Sequence, residues 1–490
     1  MPPPEFPPEA TAERPKRARR PRLSVVDGNT VRREEIEAEA VVPVTHSEDA
    51  LADQWSNGPG EDYRYTPAWG TWFRWGGATW REDSDGDEDT AFHSVRLHCR
   101  RAAREAAELT AAARQKITTA REFKSVLAIA GADRRHLVTA DRWDVDPYLL
   151  GTPAGVIDLR TGLPTEAEKD QLIRMSTSVA PVRGNHPLFD MVIGRAAQND
   201  EDMLVYLWGW MGYCLTGDTR LERLMFLHGP GGNGKGTLVK AVADILGTYA
   251  CTIHIDALLE TKHERHSQEI AKLQGKRYVY ASEVPSDARW NESALKWLTG
   301  GDKVVAHKMR MDDEEWYPRF KLLAYGNSKP ALKSVGDAIK RRLDLVEYPG
   351  SLGEENLDTS LKIRLREEYP AILATMIEHC LRWQEADYKL DRPNKVKQDV
   401  QEYLDSEDLI GRWMADCVVI EAGQRTQSSA AFQSYKEWAK PREEYVPSQK
   451  RFTGWVKDRG IGSVKSGPQW FVGFRLRGVA PDVQPEGVNV

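Results

Sequence analysis

Residues 224–240, LMFLHGPGGNGKGTLVK, hold the sharpest chemical pattern in the chain. An apolar run, Leu224–Leu227, reads as a buried strand. The turn Gly229-Pro230-Gly231-Gly232-Asn233-Gly234 follows, then Lys235, Gly236 and Thr237, where a helical pattern begins. Glycines let successive backbone N–H groups converge on an anion. A helix N-terminus adds partial positive charge at the same place. Lys235 is placed to reach the β and γ phosphates of a nucleotide. Glycine–lysine runs also occur in ordinary turns, but strand, G-x-x-x-x-G-K and helix in succession is the layout of a phosphate-binding loop. Residues 229–237 are therefore predicted to bind ATP. The hydroxyl residue usual after the lysine is Gly236 here, and Thr237 comes one position later.

Downstream residues could complete such a site. Tyr278–Ala281 reads as a second buried strand ending in Ser282-Glu283. A carboxylate at a strand end beside the phosphate loop can polarise an attacking water, so Glu283 is the candidate base. The usual Asp before it, which holds Mg²⁺ through water, is Ser282. Thr237, Ser282 and Glu283 are thus the candidate metal-shell residues. A third strand, Phe320–Tyr325, leads to Asn327, an amide able to sense the γ-phosphate. Arg342 follows, and an arginine reaching a neighbour's site can raise phosphoryl-transfer rates by about 10³–10⁵; the bland reading is a surface salt bridge. Between the second and third strands, residues 296–311 read as a hairpin with a basic tip. Lys308 leads there as a phosphate-backbone contact, beside His307 and Arg310.

These residues need a scaffold, and composition bounds it. A chain of 490 residues, 40% apolar, is long enough for about three domains with packed cores. The net charge of −6 argues against a uniformly basic nucleic-acid binder but leaves room for lysines in a channel. The five cysteines form no C-x-x-C pair, which argues against a zinc site or disulfide framework and suits a reducing cytosol. The most apolar stretch, Met203–Leu215, is too short to span a bilayer, and the proline-rich start does not resemble a signal peptide.

Residues 1–47 read as a disordered tail. The basic cluster at 14–22 within it fits a nucleic-acid arm or a merely solvated segment. Residues 48–187 are expected to form an α+β module. In it, 63–83 is a hairpin turning at Gly76-Gly77, with Trp69, Trp72, Trp75 and Trp80 serving as core rather than as stacking platforms for bases. Residues 82–89 are an acidic, solvated loop. Phe92–Ala130 is helical in pattern and reads as a helical bundle segment, and 141–164 returns to short strands and turns. Residues 188–352 carry the nucleotide motifs, 353–395 is a helical connector, and 396–490 is a smaller domain. There, helical patterns run through Val396–Trp413, Ala430–Ala439 and Ser448–Arg459. Gly462–Gly467 is a turn and Gln469–Leu476 a strand. Helices followed by such a wing suggest a winged helix, whose third helix, with Lys450, Arg451, Lys457 and Arg459, suits DNA or a protein contact equally.

Taken in order, GPGGNGKGT, GKRYVYASE (275–283), LKWLTGGDKV (295–304), YGNSKP (325–330) and IKRRLDLVEYP (339–349) resemble the superfamily 3 helicases. The resemblance is to the branch of phage and plasmid primase-helicases that includes the poxvirus primase-helicase. YRYTPAWGTWFRWGGATWRED, DPYLLGTPAGVIDLRTG and GYCLTGDT resemble that family's N-terminal module, and QWFVGFRLR its winged-helix end. The resemblance implies an α/β P-loop NTPase core of the AAA+ type and a hexameric ring with ATP and Mg²⁺ between subunits. It also implies single-stranded or forked DNA in the channel, and replication of a phage, plasmid or integrated element in the cytoplasm of a bacterial host. By matching position Lys235 binds phosphate, Glu283 activates water, Asn327 senses, Arg342 acts across the interface and Lys308 contacts DNA. Many relatives carry a primase domain ahead of this module. Only about 50 residues stand ahead of the module here, so no priming activity is assumed; a separate primase, initiator or replisome protein is a candidate partner, and a membrane is not. Two other readings stand beside the helicase. GKGT also resembles the adenylate kinase loop, although a kinase leaves the 296–311 hairpin and Arg342 without a role. The departures at Gly236 and Ser282 suit an origin-binding or loading factor with weak hydrolysis.

Overall fold

The protein is described here by a computed structural model covering residues 44–84, 90–261, 267–285, 288–306, 314–332, 335–350, 360–442, 444–457, 459–465 and 467–478. The basic cluster at 14–22, most of the acidic loop, and His307, Lys308 and Arg310 lie outside the described residues. Two compact units interleave in sequence: residues to 64 with 84–137, and 65–83 with 138–490.

The first unit is helical. Its helices Glu48–Ser56, Ala91–Glu105, Ala111–Ile117 and Ala120–Gly131 each start on a hydroxyl N-cap: Ser47, Thr90, Thr110 and Thr119 accept from backbone N–H groups three residues on. Two of those caps, Thr110 and Thr119, divide the helical stretch from Phe92 into the separate helices of a bundle. Arg114 is no solvated charge. Its fork donates to the carbonyls of Leu109, Ala103 and Ala106 at 3.0, 2.8 and 2.7 Å and so closes the end of the preceding helix.

In the second unit the organising element is an all-parallel sheet of five strands: β1 Leu224–His228, β2 Ala250–Thr252, β3 Tyr278–Ala281, β4 Lys321–Gly326 and β5 Leu343–Glu347, in the order β5-β1-β4-β3-β2. A parallel sheet is covered on both faces, so its strands read as apolar runs; all five residues of β1 are buried. The strand β4 is hydrogen-bonded between the loop strand β1 and the Glu283 strand β3, with Leu322 in register with both Leu224 and Val279. The fully packed helix Glu201–Cys214 and the long helix Leu361–Glu385 belong to the same core.

The short antiparallel strands Leu149–Thr152, Gly155–Asp158 and Leu163–Thr165 add Leu150, Ile157 and Leu159 to that core. The aromatic hairpin turns at Gly76-Gly77 as expected, with Gly77 at φ +87°. Trp80 is fully buried against Phe73, Trp143 and Leu172, so it is core. At the C-terminus the helix Asn394–Glu407 stops where Asp408 caps a new one, Leu409–Cys417. Helices Ser428–Ala439 and Gln449–Lys457 and the sheet Val418–Gln427, Gln469–Leu476, Gly462–Lys465 enclose Trp413, Tyr435, Phe452 and Phe471. Gly462–Lys465, expected as a turn, is a strand paired to Gln469–Val472. Among the described residues no helix is long and apolar enough to cross a membrane.

Candidate functional site

The C-terminal ends of β1, β3 and β4 converge on a cleft of about 940 Å³, the position where open parallel α/β sheets bind ligands. β1 runs into the glycine-rich loop. Gly229 has φ +132°, and a Cβ there would stand 2.1 Å from the Tyr348 carbonyl oxygen, so only glycine fits. Gly232 and Gly234 also take left-handed backbone, at φ +72° and +100°. Gly234 opens the helix α1, Lys235–Leu246, without a side-chain cap, and Gly234 through Thr237 line the cleft, so the helix N-terminus stands at its edge. Nothing lies within 4 Å of a Cβ built on Gly234, and at Gly231 only the Asn327 amide does, at 3.9 Å. The loop is a cradle with room over it.

Lys235 is 5% exposed and curls onto the loop. Its Nζ donates to the carbonyls of Gly229 and Pro230 at 2.7 and 2.8 Å and to Asn233 Oδ1 at 3.1 Å, while Asn233 Nδ2 donates to the Tyr348 carbonyl at 3.0 Å. Burial lowers the Lys235 pKa, and no carboxylate is among those partners. An ammonium held by neutral acceptors can be handed to a phosphate without breaking an ion pair.

Glu283 and Asn327 line the same cleft, as do Gly231 through Thr237. Gly229 and Pro230 are its shoulder rather than its lining. Glu283 is exposed, with φ +67°, a left-handed backbone uncommon for a residue with a side chain. Of the three residues expected around a metal, Thr237 and Glu283 border the cleft, whereas half-buried Ser282 is not part of its lining. Among the described residues no group of three or more His, Cys, Asp or Glu is placed to hold a metal ion. A magnesium ion that arrives on phosphates needs only one or two protein ligands, and the donors present fit that case.

Sequence reasoning missed the rest of the wall. Arg195, Lys240, Lys362 and Arg364 join Lys235 around the cleft, so among the described residues five cations face the one carboxylate of Glu283. That balance suits a polyphosphate. Met191, an exposed apolar side chain on the helix Pro187–Ala197, adds an apolar wall with Leu188. Lys240 is on α1 itself, but Arg195, Lys362 and Arg364 come from helices distant in the chain, with no local pattern to mark them.

Arg342 does not project outward. It is buried, with Nη2 2.6 Å from Glu222, Nε 3.2 Å from Thr299 Oγ1 and Nη1 3.2 Å from the Ala338 carbonyl. Arg341 beside it has a side chain 66% exposed. The hairpin expected at 296–311 is present as Val304–Ala306 paired antiparallel with Glu314–Trp316. Its proposed DNA-contacting tip is outside the described residues. Near the C-terminus, Lys450 and Lys457 are exposed on the third helix, whereas Arg459 is paired with Asp408 and Arg451 stacks 5.2 Å over Trp455.

Known proteins share parts of this chain. Residues 48–199 match the family described as D5 N terminal like, and residues 227–342 match a family of unknown function (DUF5906). "Putative helicase L207/L206" of Acanthamoeba polyphaga mimivirus is 25% identical over 322 residues, covering 61% of this chain and 33% of that protein. "Putative helicase 022R" of Frog virus 3 (isolate Goorha) is 24% identical over 236 residues, with coverage of 44% and 24%. "Putative helicase V13" of Sputnik virophage is 25% identical over 162 residues, with coverage of 31% and 21%. The chain thus spans a third or less of the length of these relatives. Among solved structures, the apo NrS-1 C terminal region aligns over 60% of this chain and 77% of its own at 12% identity, with a TM-score of 0.37. Its A form gives 62%, 79%, 12% and 0.39. The chain is therefore similar to viral proteins named as helicases.

Proposed function

We propose that this protein is an ATP-dependent DNA helicase or translocase that works in replication as a ring, expected to be a hexamer, around single-stranded DNA. The observation that carries the reading is the convergence of the glycine loop, Glu283 and Asn327 at three neighbouring strand ends around one strongly cationic cleft. The names of the viral relatives agree with it.

In this reading the N–H groups of Gly231–Lys235 hold the β-phosphate, and Lys235 leaves the loop carbonyls for the γ-phosphate. Glu283 accepts a hydrogen bond from the attacking water and orients it, while Asn327 donates to the γ-phosphate. Magnesium supplies screening of phosphate charge when bound, with Thr237, Ser282 and Glu283 as its proposed shell. An arginine of the Arg341-Arg342 pair reaches the neighbouring subunit's nucleotide, and His307, Lys308 and Arg310 grip the DNA backbone. The test is ATP turnover with and without single-stranded DNA, for the unaltered chain and for Lys235→Ala. DNA-stimulated turnover that Lys235→Ala abolishes is expected; turnover that is indifferent to DNA, or that survives the change, sinks the reading.

One observation favours a second reading, an origin-recognition or loading factor that hydrolyses weakly. Gly236 carries no hydroxyl and Ser282 stands off the cleft, so the metal shell is thinner than usual. Tight nucleotide-dependent DNA binding without unwinding would select it.

A further inference from the structure

We propose that the phenol of Tyr325 supplies the hydroxyl that residue 236 lacks, facing the phosphate cradle as an outer-shell hydrogen-bond partner of the magnesium–nucleotide. The proposal rests on the nucleotide reading above and names a binding residue within it.

The argument begins with the space at Gly236. A Cβ built there would lie 3.6 Å from the Tyr325 hydroxyl oxygen, 3.7 Å from its Cε2 and 3.8 Å from its Cζ. These are ordinary van der Waals contacts, and the backbone at 236 is helical. Neither crowding nor conformation therefore requires glycine, and a side chain growing from that Cβ would meet the phenol. The volume into which a serine or threonine hydroxyl would extend is already bordered by a hydroxyl from another strand.

Tyr325 is also fixed and available. It pairs with Leu227 across the β4–β1 ladder, so its height relative to the loop is set by the sheet. It lines the cleft with Gly236, Thr237, Glu283 and Asn327. Its ring is half-buried, and among the described residues its hydroxyl has no hydrogen-bond partner. A phenol both donates and accepts. Magnesium keeps several of its waters, so a neutral hydroxyl at its edge can accept a hydrogen bond from such a water without being a direct ligand.

The test is equilibrium binding of a fluorescent ATP analogue to the full chain, titrated with Mg²⁺ and repeated in EDTA. Tyr325→Phe is expected to bind normally in EDTA but to need about five- to ten-fold more Mg²⁺ for half-maximal binding, the loss of one hydrogen bond. Gly236→Ser added to Tyr325→Phe should return the requirement to within about two-fold of the starting value, a difference smaller than one hydrogen bond. An unchanged Mg²⁺ requirement in Tyr325→Phe, an equal loss with and without Mg²⁺, or no rescue by Gly236→Ser overturns the proposal. Should Tyr325→Phe fail to fold, Tyr325→Met, which also fills the space without a hydroxyl, decides: the Mg²⁺ requirement should rise by a similar factor, and no rise overturns the proposal. If the unaltered chain binds no analogue under any condition, the nucleotide reading itself falls, a result distinct from a selective loss of magnesium dependence.

Discussion

His228 Nε2 lies 2.6 Å from one carboxylate oxygen of Asp399, whose other oxygen accepts from Lys329 Nζ at 2.9 Å. His228 is the last residue of β1, directly before the glycine loop, and Lys329 is two residues past Asn327. Asp399 belongs to the C-terminal helix Asn394–Glu407. One carboxylate therefore ties the two strand ends that frame the cleft to the C-terminal region. Burial opposes its ionisation, but the hydrogen bonds from His228 and Lys329 outweigh that and hold its carboxyl below the usual range.

Asp399→Ala should destabilise the chain by about 2–4 kcal/mol, because it leaves two partly buried donors unpaired. The depressed pKa means that Asp399 contributes fully above the ordinary carboxylate range and that its contribution is lost as pH falls through its lower folded value. Urea unfolding at neutral and acidic pH checks both statements. A variant as stable as the parent at neutral pH, or one that differs more at acidic than at neutral pH, contradicts the assignment.

Arg341→Ala and Arg342→Ala should separate cleanly. Arg342 is bonded within its own chain, so its loss should cost about 1–3 kcal/mol of stability. The exposed Arg341 should cost under about 0.5 kcal/mol while lowering ATP turnover of the assembled protein. Mixing Arg341→Ala subunits with Lys235→Ala subunits should recover some turnover if Arg341 acts in trans. No recovery in assemblies known to be mixed, alongside recovery with Arg342→Ala, would return the role to Arg342.

Glu283→Gly and Glu283→Gln should both stop turnover, yet differ in stability. Glycine relieves the left-handed backbone at φ +67°, worth about 1 kcal/mol, and glutamine does not. Thermal melting of the two variants checks this. A glutamine variant that melts above the glycine variant would show that the carboxylate position is not strained.

Lys321, at the start of β4, is buried with its ammonium directed at the carbonyls of Thr216, Asp218 and Arg319, and burial pushes its pKa down to about 7. An unfolded lysine titrates near pH 10. Between these values the unfolded chain holds a proton that the folded chain lacks, so the unfolding free energy should rise with pH across roughly pH 7–10 and be lowest below it. Lys321→Met should remove at least about 1 kcal/mol of that rise, one pKa unit's worth. Denaturation midpoints at three pH values for both chains measure it, and parallel curves would refute it.

β1, β3, β4 and the loop between β1 and α1 were legible in the sequence because buried parallel strands are short apolar runs and the loop is built from glycine. β5 was not, since Asp344 interrupts its run. That carboxylate is tolerated at full burial because Tyr206 donates to it at 2.5 Å and Arg392 pairs with it, partners distant in sequence. The strand Val418–Gln427 was hidden for a different reason: it is mostly half-buried and turns polar after Ile420, and its ladder to Gln469–Leu476 defines it. The inward turn of Arg342 depends on Glu222, 120 residues away. The strand ends carrying Glu283 and Asn327 could be placed from local sequence, but not the cationic wall, which is assembled from separate helices.

The placement of β4 in the middle of the sheet has a mechanical consequence. Because β4 is bonded to β1 on one side and β3 on the other, the loop and Glu283 cannot slide past each other without tearing a ladder in the stiffest part of the fold. The spacing between the phosphate cradle and the base is thereby locked. Movement at the cleft must therefore fall on side chains or on the loops that follow the strands.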